Sequence, residues 1–185
     1  AYYFEKKSDF NKLIYIGITK LTIPPSVPHI EESILESFPK LKEVILMPSN
    51  MKSIDKKAFR GCISLEKVSI PPSITVFKEE AFCKCASLKR IEIYSSVTLI
   101  EKSCFELCSM LKEVVFQQNS TLNAIEEASF RECYSLEEIE IPQSVTYIGD
   151  RVFENCLKLK KISLPNSLKK VGNRIFGGIQ SIEIT

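Results

Sequence analysis

The sequence is poor in the residues that most chemistry requires. Its 185 residues include no Trp, one His and only six Gly. A single His (His29) with no Cys, Asp or Ser constellation around it does not make a catalytic base or an imidazole metal site. So few glycines leave no Gly-rich phosphate loop. No apolar run approaches the roughly 18 residues of a membrane span, so direct membrane insertion is not expected. No excess of one charge is present either: 25 basic residues stand against 23 acidic, a net charge of +2, far from the basic profile of a nucleic-acid binder. The hydrophobic fraction of 44% is too high for a disordered chain, and the length suits one domain with a real core. The chain opens on Ala1 with neither Met nor a signal-peptide pattern, which reads as a processed or cloned boundary and carries no information on compartment. The composition therefore points to a soluble single domain that is not an enzyme and holds no cofactor or metal.

What is present is self-similarity. One copy reads Leu136, Ile139, Ile141, Pro142, Val145, Ile148, Phe153 and Cys156, and the next starts at Leu159 with Ile162, Leu164, Pro165, Leu168, Val171 and Phe176. Copies from Leu41, Leu65, Leu88 and Leu111 carry the same order. A weaker first copy starts at Ile18, with Leu35 and Phe38 where Phe and Cys are expected, and Ile179, Ile182 and Ile184 supply a last strand. The anchors Ile18, Leu41, Leu65, Leu88, Leu111, Leu136, Leu159 and Ile179 lie 23, 24, 23, 23, 25, 23 and 20 residues apart. The extra residues, near Met47 and at Gln117 to Thr121, fall just after a strand, where a stack of coils absorbs them in a loop. Gly177 and Gly178 replace the usual segment in the short last interval.

Within a copy, Leu-x-x-Ile-x-Ile ends in the period-two alternation of a half-buried strand. Pro then stops the ladder, since it has no N–H to donate. The following β-branched stretch, as in Ser144, Val145 and Thr146, is expected to be extended as well. The Ala58-Phe59-x-x-Cys62 piece sets apolar groups at i, i+1 and i+4, a spacing that predicts a short helical or 3₁₀ turn. Each copy is one coil that cannot bury its apolar side alone.

These residues resemble leucine-rich repeats, and specifically the BspA-like class with its 23-residue repeat. The copy from Leu136 to Leu159 carries the pattern nearly throughout, with Pro142, Ser144, Val145, Thr146, Ile148, Gly149 and Phe153 in place. The resemblance implies an α/β leucine-rich-repeat solenoid over residues 18–185, about seven repeats plus a final strand. Its form would be a right-handed β/α superhelix, with a parallel sheet on the concave face and short helical, 3₁₀ or extended segments on the convex side. Residues 1–17, with Tyr2, Tyr3, Phe4, Phe10 and Leu13, would form an N-terminal cap or a degenerate coil. The resemblance also implies a surface-exposed or secreted adhesion module that binds an extracellular-matrix or host cell-surface protein. The alternative is a cytoplasmic scaffold or regulatory segment of a larger protein, a setting in which numerous free thiols sit easily.

Five of the seven cysteines (Cys62, Cys85, Cys108, Cys133 and Cys156) recur three residues after Phe59, Phe82, Phe105, Phe130 and Phe153. Stacked coils lie roughly 5 Å apart with parallel Cα–Cβ vectors. That keeps Cβ atoms beyond the roughly 3.8 Å a disulfide favours, and a straight file cannot converge tetrahedrally on zinc. The column reads as buried thiols. Cys104, in the slot of Ala58 and Ala81, reads as core, and Cys83 as the best candidate for an exposed thiol. The Phe column reads as a core spine. The acidic pairs Glu31-Glu32, Glu79-Glu80, Glu126-Glu127 and Glu137-Glu138 read as solvated edges.

The surface with a systematic functional argument is the strand wall. The residues flanking the middle apolar position face outward and stack side by side: Lys20 and Thr22, Glu43 and Ile45, Lys67 and Ser69, Arg90 and Glu92, Glu113 and Val115, Glu138 and Glu140, Lys161 and Ser163, Ser181 and Glu183. Its mixed signs exclude a phosphate-backbone tract. Ile45 and Val115 stand where polar residues are expected and are candidate contact anchors. Charge drifts along the axis, from an acidic zone at Glu126 to Glu140 to a basic one at Lys158 to Arg174. One sequon, Asn119-Ser120-Thr121, lies in the inserted loop and would take a glycan in a eukaryotic secretory route.

Overall fold

The computed structural model describes residues 17–36 and 38–185; the N-terminal segment expected to be a cap or a degenerate coil lies outside the described residues apart from Gly17. Each coil contributes three walls. The first is the long-strand wall, with β1 (Lys20–Ile23), β2 (Glu43–Leu46), β4 (Lys67–Ser69), β6 (Arg90–Ile93), β8 (Glu113–Phe116), β10 (Glu138–Glu140), β12 (Lys161–Ser163) and β14 (Glu183–Ile184). The second holds two-residue strands: β3 (Ser53–Ile54), β5 (Val76–Phe77), β7 (Leu99–Ile100), β9 (Ala124–Ile125), β11 (Tyr147–Ile148) and β13 (Lys170–Val171). All pairs are parallel and in register, as coil stacking requires. Strand length on the first wall follows the residue that comes just after the last apolar position of Leu-x-x-Ile-x-Ile. Strands ahead of Pro71, Pro142 and Pro165 have three residues, and those ahead of Met47, Tyr94 and Gln117 have four, because proline donates nothing to the ladder; β1, ahead of Pro24, is the exception. The two insertions fall at the corner between the walls, between β2 and β3 and between β8 and β9.

The third wall corrects the expectation of a helical turn: no helix occurs among the described residues. Its N–H groups alternate instead. Those of Lys57, Phe59 and Gly61 donate to carbonyls of the next coil (Glu79, Ala81 and Cys83), and those of Ala58, Arg60 and Cys62 donate three residues back. The later coils repeat this alternation. Two left-handed residues per coil impose it, at Lys57 and Gly61, Glu80 and Lys84, Ser103 and Leu107, Ala128 and Glu132, Arg151 and Asn155, and Arg174 and Gly178. Positive φ breaks a right-handed helix and costs a non-glycine residue roughly 1–2 kcal/mol. The hydrogen bonds that every coil then makes to the next one offset that strain.

Beneath the third wall the Phe rings stack. Phe59, Phe82, Phe105, Phe130, Phe153 and Phe176 follow one another at centroid separations of 5.2, 5.3, 5.2, 5.9 and 6.2 Å, all within 16° of coplanar. Phe77 meets Phe82 and Phe105 edge-on. The cysteine column runs alongside as hydrogen-bond donors. Each thiol donates to a carbonyl of the coil below: Cys85 to Phe59 at 3.2 Å, Cys108 to Phe82 at 3.2 Å, Cys133 to Phe105 at 3.3 Å and Cys156 to Phe130 at 3.1 Å. The same Phe carbonyls accept the backbone N–H of the cysteine in their own coil, so both lone pairs of a buried acceptor are used. Gly149 is required by close approach, since a Cβ there would lie 2.5 Å from the backbone N of Glu127.

The last coil departs from the expected register. Lys161 pairs with Glu183 and Ile162 with Ile184, two residues later than an anchor at Ile179 would give. Twenty residues do not close a coil whose other turns take 23 to 25, so the chain slips until it can. As a result Ser181 lies outside the pairing, and Glu183 takes the place expected of it. Ile184 ends 53% exposed, with no described coil above it.

Phe105→Ala, which removes a ring stacked on both sides, should lower unfolding free energy by about 3–5 kcal/mol in a urea titration. Phe176→Ala, at the half-buried end of the stack, should cost clearly less. Equal losses would show that ring stacking does not set core stability.

Candidate binding wall and its groove

The first wall brings the outward residues together in two rows. One runs Lys20, Glu43, Lys67, then Arg90, Glu113, then Glu138, Lys161, Glu183, adjacent members being register partners within each block. Lys20 pairs with Glu43 at 3.0 Å and Arg90 with Glu113 at 3.0 Å. Such exposed pairs contribute little stability, but they hold the row in a defined pattern. The other row runs Thr22, Ile45, Ser69, then Glu92, Val115, then Glu140, Ser163. Ile45 and Val115 are half-buried in it.

The wall is not continuous. Its strands form three blocks, β1-β2-β4, β6-β8 and β10-β12-β14, whereas β3-β5-β7-β9-β11-β13 is unbroken. Elsewhere on the first wall a pair closes with bonds such as Met47 N–H to Ile23 C=O and Gln117 N–H to Ile93 C=O, both at 3.0 Å. No counterpart from Tyr94 N–H to Ile70 C=O joins β4 to β6. Away from the end of the stack, where Ile184 is exposed, the middle inward residue is uncovered here alone: Val68 is partly exposed, while Leu21, Val44, Ile91, Val114, Ile139 and Ile162 are buried. The gap between β8 and β10 leaves Val114 and Ile139 covered and opens nothing.

The β4–β6 opening is a groove of about 410 Å³. Val68 and Ile70 make its apolar part, Lys67, Ser69, Arg90, Glu92 and Tyr94 its polar lining, and Glu66 and Lys89 one end. The sequence reading anticipated Lys67, Ser69, Arg90 and Glu92 but missed Val68, Ile70 and Tyr94. A signal existed for Tyr94, which occupies the slot that is Pro24, Pro71, Pro142 and Pro165 in other copies.

The remaining candidates have other roles. All seven cysteines are free and buried. This corrects Cys83, which is 4% exposed: its carbonyl accepts the Gly61 N–H, and that bond draws the residue between coils. Burial pushes the thiols up, to about 11 for Cys83 and about 12 for Cys62 and Cys156, and well above the usual range for Cys85, Cys104 and Cys133. Members of two of the acidic pairs are ion-paired between coils instead of merely solvated: Glu79 meets Lys56 at 2.7 Å, Glu80 meets Arg60 at 2.6 Å and Glu127 meets Lys102 at 3.0 Å. Arg131 contacts Glu106, Glu132 and Glu154, so part of the acidic zone is neutralised locally. His29 is exposed. Asn119 is exposed at positive φ in the inserted loop, where the Thr121 hydroxyl donates to the Ser95 carbonyl at 2.6 Å. Among the described residues no three or more His, Cys, Asp or Glu side chains converge as a metal site, and no helix is long and apolar enough to cross a membrane.

A stack of parallel coils of about 23 residues, with a Leu-x-x-Ile-x-Ile wall and a Phe spine, defines a leucine-rich-repeat solenoid. The model of the BspA type leucine rich repeat region matches in six copies, over residues 7–122 and 113–185. The chain belongs to this family. Three solved structures share the fold. A leucine rich cell surface protein of Faecalibacterium prausnitzii is 22% identical with a TM-score of 0.68, over 90% of this chain and 60% of that one. The leucine rich repeat protein of T. pallidum is 26% identical with a TM-score of 0.60, over 85% and 72%. The pneumococcal vaccine antigen PcpA is 18% identical with a TM-score of 0.67, over 90% and 60%. The chain thus spans 60% of the length of two of these proteins. None of the curated proteins matches it, and none of the comparisons indicates a catalytic family.

The thiols should resist a disulfide reagent at pH 8 in the native protein and react as seven on unfolding. An unfolded thiol titrates near pH 8.5, so stability gained by keeping these groups neutral is complete below that pH. It is lost as the pH climbs toward about 11 to 12, where Cys83, Cys62 and Cys156 ionise in the fold. Urea midpoints should therefore fall steadily above pH 8.5. Rapid native labelling at pH 8 would contradict the buried column.

Proposed function

We propose that this chain is a non-enzymatic recognition module that binds a protein through its long-strand wall. In this reading it is displayed at the cell surface or secreted, and its partner is an extracellular-matrix or host cell-surface protein. One observation carries the reading: stacked strands present two rows of exposed or half-buried side chains, Lys20 to Lys161 and Thr22 to Ser163, on one wall. Mixed charge, the half-buried Ile45 and Val115, and a groove between them give that wall the features of a protein interface, with apolar anchors inside a polar surround. Family membership, a neighbour described as a cell surface protein and another described as a vaccine antigen support display outside the cell. The seven free thiols favour the second reading, a scaffold segment in a reducing compartment.

The test is capture on a panel of immobilised matrix glycoproteins by the wild type and by a variant carrying Ile45→Asp and Val115→Asp. The variant should keep its thermal midpoint and lose at least about tenfold in affinity; equal capture would remove the wall from the account.

Secretion through a eukaryotic route would put a glycan on Asn119, the only sequon of the chain. Expression in such a cell should give a glycosidase-sensitive mass increase that Asn119→Gln abolishes. An unmodified wild type secreted by that cell would dismiss the site.

A further inference from the structure

We propose that the β4–β6 groove is a peptide-binding site that takes an extended segment with apolar side chains beside a carboxylate. The proposal rests on the reading of the first wall as a protein interface and names the chemistry of what that interface recognises.

Three features select this ligand. The first is the apolar floor. Val68 is partly exposed at a position that is buried in every coil but the terminal one, and the buried Ile70 lies beside it, so an aliphatic side chain placed there covers surface that neighbouring strands cover elsewhere. The second is backbone. Tyr94 and Ile70 both line the opening, and the Tyr94 N–H and Ile70 C=O lack the bond to each other that equivalent groups make in other coils. A peptide main chain supplies both an acceptor and a donor, a complement that a purely apolar or purely anionic ligand lacks.

The third feature is charge. The acids of the groove are engaged: Glu66 by Lys89 at 3.1 Å, and Glu92 by Gln117 at 3.0 Å and Arg90 at 3.7 Å. Lys67 is exposed and has no ion pair among the described residues. The open valence of the groove is therefore cationic, and a carboxylate answers it.

Scale agrees with a short segment. About 410 Å³ lies at the lower end of the range for ligand sites. Ile45 and Val115 flank the groove in the row that also holds Ser69 and Glu92. Three coil spacings of about 4.8 Å separate them, a distance that four to five extended residues cover. A segment running along the axis would meet an apolar contact at each end and the groove between.

The experiment is a titration of the methyl-labelled protein, followed by NMR, with three blocked peptides: acetyl-Leu-Glu-Leu-amide, acetyl-Leu-Lys-Leu-amide and acetyl-Ser-Glu-Ser-amide. The Leu-Glu-Leu peptide should shift the Val68 and Ile70 methyls and saturate at a concentration about tenfold below either of the others. Lys67→Glu, a change at an exposed side chain, should reverse the preference to the Leu-Lys-Leu peptide. Shifts centred away from the groove, equal affinity for the peptides, or an unchanged preference in the Lys67→Glu protein would each overturn the proposal. The wall reading fails separately. If the Ile45→Asp/Val115→Asp variant captures matrix protein normally while the peptide binds as expected, the wall account falls and the groove stands. If that variant loses capture while the peptide preference is absent, the groove proposal falls and the wall account stands.

Discussion

Every coil of this protein must present its successor with the backbone it received from its predecessor. That repetition is enforced by hydrogen bonds on three sides, and in the core at the carbonyls of Phe59, Phe82, Phe105 and Phe130, each of which accepts one bond from its own coil and one from a thiol of the next. An acceptor so buried has no water to turn to, so its second lone pair is used only if a neighbouring side chain donates to it. The cysteine column is therefore better explained by donation than by redox chemistry or metal binding. A small side chain is needed to fit beside the ring stack, and among small apolar side chains the thiol is the one that donates. Alanine would fill the space but leave the carbonyl short.

From that constraint the register of everything else follows. Rings separated by 5.2 to 6.2 Å are held in file by the coils that carry them, and the outward rows of the first wall inherit the same spacing. Insertions survive only at the corner after β2 and after β8, where the chain passes between walls and lies outside the paired strands. The last coil makes the same point by contrast. Its chain is too short to return at Ile179, so it pairs two residues later, keeping the ladder and an isoleucine opposite Ile162.

The parts of this fold legible in the sequence are those in which a side-chain pattern and a backbone state coincide. Alternation in Leu136-x-x-Ile139-x-Ile141 can only face one side of a strand inward, and the recurrence of Phe and Cys revealed the stack. The third wall was misread because apolar residues at i, i+1 and i+4 serve a helical turn and a run of left-handed-punctuated turns equally well. Nothing about Lys57, Glu80 or Leu107 announces positive φ in the way that Gly61 does. Cys83 was misjudged for a related reason: it stands outside the column, and its burial depends on how its backbone bonds to the neighbouring coil. Among the site residues, the outward pairs were readable from alternation. The groove was not, because it arises from a bond that fails to form between β4 and β6, and Val68 is chemically identical to the buried residues of its row.

The distribution of rigidity connects the fold to recognition. The second wall is an unbroken six-stranded sheet and the third wall bonds coil to coil, whereas the first wall is divided at β4–β6 and β8–β10. Two closed walls fix the distance between the coils that carry β4 and β6, so the opening on the remaining side is a shaped gap held by its surroundings and not a frayed edge. A site of this kind has its ordering cost met by the Phe stack and the turn ladder before a ligand arrives, which is what preorganisation requires. Its position, between the apolar Ile45 and Val115 and among charges already paired with one another, leaves Lys67 and Val68 as the two side chains whose environment changes most when the gap is filled.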